Sequence, residues 1–147
     1  MKVTNGRIEA AWNVAQGLLA RYRYPGSESK RLFRFRREAE PICSWMREER
    51  EKLIAQYGPE KMQNGLLKFA SKEDCEAFCA ERDALENAES EVESLPLRLR
   101  MPERIELGQG DLEAMDGLIE LYDPEEIRVT DLRVVTEEEA KEETENG

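Results

Sequence analysis

The chain has 147 residues, enough for one domain with a sizeable core, and 37% of them are charged against 39% apolar. It carries a formal net charge of −11 and no histidine, which argues against general attraction to nucleic acid or anionic membrane and removes the commonest general base near neutral pH. The charge is uneven: residues 21–37 hold seven Lys or Arg against the single acid Glu28, a balance of +6, so the remainder carries −17.

No apolar run is long enough to cross a bilayer, and Met1–Arg7 has no signal-peptide apolar segment, so an intracellular protein is expected. Cys43, Cys75 and Cys79 are read as buried apolar thiols, because a disulfide framework suits neither their number nor that location. Without histidine, a zinc site would need carboxylates to complete its ligand set, and no metal is assigned.

In chain order, Lys2-Val3-Thr4 is a short strand ended by an Asn5-Gly6 turn. Ile8, Ala11, Trp12, Ala15, Leu18 and Leu19 recur at helical spacing, predicting a first helix over 7–23. Pro25-Gly26 breaks it, and Ser27 or Ser29 caps the next. Leu32, Phe35, Ala39, Ile42, Met46, Glu49 and Leu53 mark the buried stripe of a long second helix, kinked or split at Pro41 and ended by Gly58-Pro59. The short join makes the two helices an antiparallel hairpin.

Residues 61–69 read as a β-hairpin around Asn64-Gly65. Ser71 with Asp74 starts a third helix over 71–91, with Cys75, Phe78, Cys79, Leu85 and Ala88 inside. Leu95, Leu97, Leu99 and Met101 alternate with Pro96, Arg98 and Arg100, a half-buried strand that Ile105-Glu106-Leu107 extends. Asp111 caps a helix over 112–122, Ile127 to Val135 is a last strand, and 136–147, with six glutamates against one lysine, is an acidic disordered tail. The expected fold is α+β and mostly helical: a helical hairpin, a third helix and a small sheet, with residues 1–135 as one domain.

No nucleophile–base pair and no phosphate loop is present, and Gly108-Gln109-Gly110 lacks the third glycine of a dinucleotide fingerprint. Runs such as Glu48, Glu49 and Glu51, or Asp123, Glu125 and Glu126, read as solvated faces. No catalytic residue and no cofactor is assigned; the expectation is a binding protein, not an enzyme.

The basic segment interleaves guanidinium groups with four aromatic rings. Arginine binds phosphate bidentately and aromatic rings stack on bases, so Arg21, Tyr22, Arg23, Tyr24, Lys30, Phe33, Arg34 and Arg37 are the candidate ligand-binding residues. A nucleotide or an acidic protein patch would suit them. Equally, Arg34 with Glu38 and Arg36 with Glu40 are spaced as intrahelical ion pairs, and the rings can be hairpin core.

The opening Met-Lys-Val-Thr-Asn-Gly-Arg-Ile, the basic helical hairpin, the run Glu51 to Gly58, the Asn64-Gly65 turn, the helix with Phe78 and Glu81, the strand 91–99 and the helix after Asp111 resemble small uncharacterised proteins of tailed phages and prophages. The likeness spans 1–122 and departs at 30–50 and 123–147. It implies a phage origin, a location in the cytoplasm of the infected bacterium and a small binding protein without a cofactor. Three roles then compete. One is a counter-defence inhibitor, expected as a homo-oligomer, that binds an immune nucleotide or a host defence protein. The second is an acidic mimic of nucleic acid. The third is a virion or assembly component that oligomerises through the hairpin.

Overall fold

The computed structural model describes residues 1–123; the strand expected over 127–135 and the tail at 136–147 lie outside them. The fold is mixed α+β and dominated by helix. Strand β1 (Lys2–Thr4) runs directly into helix α1 (Asn5–Arg21), and α2 (Gly26–Tyr57) follows after a four-residue join. Strands β2 (Glu60–Lys61) and β3 (Leu67–Lys68) precede α3 (Lys72–Asn87); then come β4 (Glu89–Glu91), β5 (Leu97–Arg100), α4 (Gln109–Met115) and β6 (Ile119–Tyr122).

The expected turn at Asn5-Gly6 is instead the first turn of α1. Asn5 is buried, its amide N–H donates to the Ala88 carbonyl at 2.8 Å, and its Oδ1 accepts from Ser90 Oγ at 2.6 Å. Those bonds fix the start of α1 to the α3–β4 junction, which outweighs the local turn preference of Asn-Gly. Gly6 permits the approach: a Cβ there would come within 3.3 Å of Glu86 Cβ.

Helix α1 buries Ile8, Ala11, Trp12, Ala15 and Leu18, and α2 buries Leu32, Phe35, Ala39, Cys43 and Met46. Trp12 meets Phe35 edge to face at 5.7 Å, the geometry favoured by ring quadrupoles. Helix α2 stays continuous through Pro41. The proline removes one donor from the helix ladder, but it and Arg37, four residues back, are exposed, so the interruption falls on the solvent face of the helix and not in the core. At the start of α2 the cap is Pro25 without a side-chain bond. Ser27 and Ser29 fall inside the helix, and Ser29 Oγ donates to the Tyr24 carbonyl at 3.0 Å. Gly58 closes the helix in the left-handed conformation, φ 55° and ψ 44°, with its N–H donating to the Ile54 carbonyl.

The strands pair as three separate two-stranded ribbons among the described residues, not as one sheet. Ribbon β1–β4 is antiparallel and takes residues 89–91, which were expected at the end of α3. The β2–β3 ribbon forms where expected, but Asn64 keeps a negative φ; only Gly65 is positive. The turn therefore closes through Gly65 N–H to the Met62 carbonyl at 3.0 Å, not as the two-residue type with both central φ positive. Helix α3 is capped as read, Ser71 Oγ accepting from Asp74 N–H at 3.1 Å, yet only Phe78 on it is fully buried, packed on Phe69 and Tyr57.

Strands β5 and β6 run parallel, Leu97 opposite Ile119 and Arg100 opposite Tyr122, with α4 in the crossover. The helix expected over 112–122 ends at Met115. Gly117 at φ 71° breaks it, and Ile119–Tyr122 continue as strand because their backbone bonds go to β5. Leu112, expected inside, is exposed, and residues 105–107 form no strand; Ile105 and Leu107 pack partly on the core. Asp111 sits three residues into the cap, its carboxylate accepting from the Gly108 N–H at 3.1 Å.

Arg50 ties three helical segments together, bonding both Glu9 oxygens at 2.8 Å and Glu86 at 3.1 Å. Phe33 and Phe35 provide a stability test: Phe35 is fully buried and Phe33 is 56% exposed. Phe35→Ala should cost about 3–5 kcal/mol in urea unfolding, and Phe33→Ala no more than about 0.5 kcal/mol.

Candidate functional site

The α1–α2 join, residues 22–25, packs beside the carboxyl ends of the parallel strands β5 and β6. The cleft between them has a volume of about 540 Å³, the size of a small-molecule site. Tyr22, Arg23 and Tyr24 form one wall; Arg100, Met101, Pro102, Glu103 and Asp123 form the other. Each element places its side chains for a simple reason. Alternation along β5 buries Leu97 and Leu99 and turns Arg98 and Arg100 outward. Pro25 ends the join and holds Tyr24 in extended backbone.

The two join tyrosines differ. The Tyr22 hydroxyl donates to the Arg104 carbonyl at 2.9 Å, which fixes the ring. The Tyr24 hydroxyl is buried and has no hydrogen-bond partner among the described residues. Burial, then the negative charge of Glu28 and the Tyr22 phenol, pushes the Tyr24 phenol up to about 12.

Glu28 is the one buried acid of the described chain, 6% exposed in the first turn of α2. The positive end of the helix dipole stabilises its charge. A glutamate at this third helical position commonly bonds back to the amide of the cap residue. Here the cap is Pro25, which has no amide hydrogen, so the carboxylate turns elsewhere: Oε1 accepts from the Tyr122 hydroxyl at 2.6 Å. Its Oε2 is buried without a partner. Arg98 lies over the Tyr122 ring at 4.8 Å, holding that tyrosine from the solvent side.

The structure divides the predicted binding residues into groups. Tyr22, Arg23 and Tyr24 line the cleft, and Arg21 sits at its edge, bonded to the Gly17 carbonyl at 3.2 Å with its guanidinium 5.9 Å from the Tyr22 ring. Arg34 and Arg37 line a different groove of about 440 Å³ with Glu38, Glu93 and Ser94. About 12 Å of helix separates Gly26 from Arg34, so one small ligand does not span both. Phe33 is exposed with Arg37 stacked 5.9 Å from its ring, and Lys30 is exposed and lines neither cleft.

The Arg34–Glu38 pair does not form. Glu38 accepts instead from the backbone N–H groups of Glu93 at 2.7 Å and Ser94 at 3.0 Å, tying α2 to the chain after β4. Burial raises the Glu38 carboxyl, but those N–H groups and the neighbouring Ser94 hydroxyl more than offset it, leaving a net lowered pKa. Arg36–Glu40 pairs as expected at 2.8 Å. Arg23, Lys30, Arg31, Arg34 and Arg37 have no salt-bridge partner among the described residues, although Glu103 and Asp123 share the cleft with Arg23, and Glu38 and Glu93 share the groove with Arg34 and Arg37.

Sequence reasoning missed the opposite wall. The outward position of Arg100 was readable from strand alternation, whereas the pairing of β5 with β6, which brings Asp123 alongside, had no local signal. Of the cysteines, Cys43 is buried and Cys75 and Cys79 are half-buried; burial raises the Cys43 and Cys75 thiols and keeps them protonated. Among the described residues no cluster of side chains is suited to hold a metal, and no helix is long and apolar enough to cross a membrane.

No family model, curated protein or solved structure matches this chain.

Two measurements follow from the buried polar cluster. Tyr122→Phe strips Glu28 of its bond and should destabilise the fold by about 1–3 kcal/mol, whereas Tyr24→Phe removes a hydroxyl with no partner and should be neutral or stabilising. Paired urea denaturations of the two variants check the difference in sign. In alkali, the unfolded phenol ionises near 10 and the folded Tyr24 near 12. The folded state holds the proton more tightly, so this contribution to stability is complete below about pH 10 and declines as pH rises toward 12. Tyr24→Phe should flatten the decline in that window.

Proposed function

We propose that the chain is a non-enzymatic binding protein whose ligand is a nucleotide-like anion held in the cleft between the α1–α2 join and the ends of β5 and β6. The observation that carries this reading is the convergence of Tyr22, Arg23 and Tyr24 with Arg100 around one cleft. Arg23 and Arg100 supply forked donors for a phosphate, and the two tyrosines supply flat faces for a ring. Glu103 on the same rim offers an acceptor for sugar hydroxyls or ring amino groups. A ligand with an anionic end and a donor-bearing aromatic end fits a lining of mixed charge better than a simple anion does.

In the setting that the resemblance to small phage proteins implies, such a protein is a counter-defence inhibitor. It sequesters an immune nucleotide, or blocks a defence protein, in the cytoplasm of the infected bacterium. The absence of histidine and of any nucleophile–base pair supports binding over catalysis. A second reading, a virion or assembly component, is favoured by one feature of α2: Phe33 and Trp45 stand exposed, at 56% and 45%, and suit contact between copies. Light scattering across a concentration series separates the two, since assembly predicts growth with concentration that Phe33→Glu with Trp45→Glu abolishes.

The nucleotide reading is tested by thermal shift against a panel of mononucleotides, dinucleotides and cyclic nucleotides. A ligand present at about 100 times its Kd adds about 2.7 kcal/mol, which raises Tm by roughly 5 °C or more for a domain of this size. Arg23→Glu with Arg100→Glu should erase the shift, and Arg34→Glu with Arg37→Glu should leave it. A flat response across the whole panel overturns the reading.

A further inference from the structure

The cleft is far less basic than the segment that supplies one of its walls. Arg23 and Arg100 stand on its lining against Glu103 and Asp123, so the formal charges of the described lining cancel. Arg21 at the edge adds one positive charge, its guanidinium 5.9 Å from the Tyr22 ring. Arg98, the previous outward residue of β5, lies over the Tyr122 ring and does not line the cleft. The cleft and its edge therefore balance a single negative charge. Arg23 and Arg100 make no salt bridge to any described residue, so both guanidinium groups are open to a ligand.

The small size of the site makes that balance matter. A space of about 540 Å³ is about 10 Å across if round, close to the Debye length at 0.1 M salt. A phosphate held there feels both carboxylates with little screening. Donors are limited as well. Two guanidinium forks match the two unbridged oxygens of a phosphodiester. The Tyr22 hydroxyl is given to the Arg104 carbonyl, the Tyr24 hydroxyl is buried, and the Met101 and Pro102 side chains carry no donor. A terminal phosphate brings a third unbridged oxygen and, at neutral pH, close to a second charge. That oxygen meets no further side-chain donor of the lining, and that charge meets Glu103 and Asp123.

We infer that the cleft takes phosphodiesters, the singly charged links of cyclic nucleotides and dinucleotides, in preference to nucleotides that end in a free phosphate. The inference rests on the nucleotide reading and narrows it. Arg23 and Arg100 attract the phosphate, and Glu103 and Asp123 set the limit on its charge by repelling any excess. Even at the dielectric constant of water, one added repulsion between unit charges about 7 Å apart weakens binding roughly threefold. Nucleoside triphosphates carry the most charge and are disfavoured the most, the reverse of the order expected at a site lined by cations alone.

The test is calorimetric binding of adenosine 5′-monophosphate, its phosphate methyl ester and adenosine 5′-triphosphate to the full chain at low salt, repeated with the guanosine series. The methyl ester differs from the monophosphate by one capped oxygen, so base and sugar contacts are the same in both. The wild type should bind the ester tightest, the monophosphate about threefold or more weakly, and the triphosphate weakest. Glu103→Gln, an exposed substitution of nearly the same shape, removes one repelling charge and should shrink the gap between ester and monophosphate about threefold. A ratio unchanged by Glu103→Gln overturns the inference. So does a wild type that binds the triphosphate tightest, and the wild-type order decides alone if the variant fails to fold. Binding that follows ligand charge and is lost in Arg23→Glu with Arg100→Glu sinks this inference and leaves the nucleotide reading intact. Absence of binding by every member of both series sinks both.

Discussion

Ala11 and Ala15 on α1 and Ala39 on α2 are fully buried, and their small side chains let the two helices approach closely enough for Trp12 and Phe35 to meet edge to face. The rest of the molecule is arranged around that seam. Arg50 reaches from α2 to Glu9 on α1 and Glu86 on α3, so the third helix is held by a charged clamp at the far end of the hairpin. Leu97 and Leu99 of β5 close the core on the other side. Because the seam fixes where α1 stops and α2 starts, it also fixes the four-residue join, and with it the positions of Tyr22, Arg23 and Tyr24.

At that join the fold meets a conflict. Pro25 ends the extended join cleanly and suits the start of a helix, but it withholds the amide that a glutamate three residues later would normally bond. Glu28 is buried nonetheless, within hydrogen-bond reach of Tyr122 on β6. The Tyr122 hydroxyl then supplies the bond that the cap cannot, which couples the first turn of α2 to the last residue of β6. A single proline thus links the local chemistry of a helix start to the docking of a strand 94 residues away. The same substitution of partners leaves one carboxylate oxygen over.

Much of the helical architecture was legible because it is written in local periodicity. Ile8, Ala11, Trp12, Ala15 and Leu18, and later Leu32, Phe35, Ala39 and Met46, repeat at the spacing of one helix face, and those positions are the ones buried. Gly58 and Ser71 marked helix ends by backbone freedom and by a side-chain acceptor, and both act in that way. The misreadings share a cause. Asn5-Gly6, residues 89–91 and Ile119–Tyr122 each take their structure from a partner distant in sequence, β1 from β4 and β6 from β5, and no local pattern announces such a pairing. The same holds for the cleft. Tyr22, Arg23 and Tyr24 stood out as a run of residue types, while Arg100 and Glu103 joined them only through tertiary packing. Arg34 and Arg37 matched by composition but sit too far along α2 to share the site.

The two arginine groups differ in what surrounds them, not in burial, since Arg23, Arg34, Arg37 and Arg100 are all exposed. Arg34 and Arg37 face an open groove where Glu38 already fills the nearest backbone donors, so an arriving anion would find those N–H groups taken. Arg23 and Arg100 flank a cleft whose walls combine tyrosine, methionine and proline with the carboxylates of Glu103 and Asp123. Tyr24, in the wall of that cleft, has a buried hydroxyl without a partner, and Oε2 of Glu28, four residues on, is buried without one as well. A fold optimised for stability alone would have replaced Tyr24 with phenylalanine, since the hydroxyl is desolvated with no hydrogen bond in return. Of the buried side-chain polar atoms left without a partner among the described residues, the Tyr24 hydroxyl and Glu28 Oε2 belong to the segment whose composition departs furthest from the rest of the chain, whereas Ser94 Oγ belongs to the groove of Arg34 and Arg37, so the desolvation cost is not confined to one cleft.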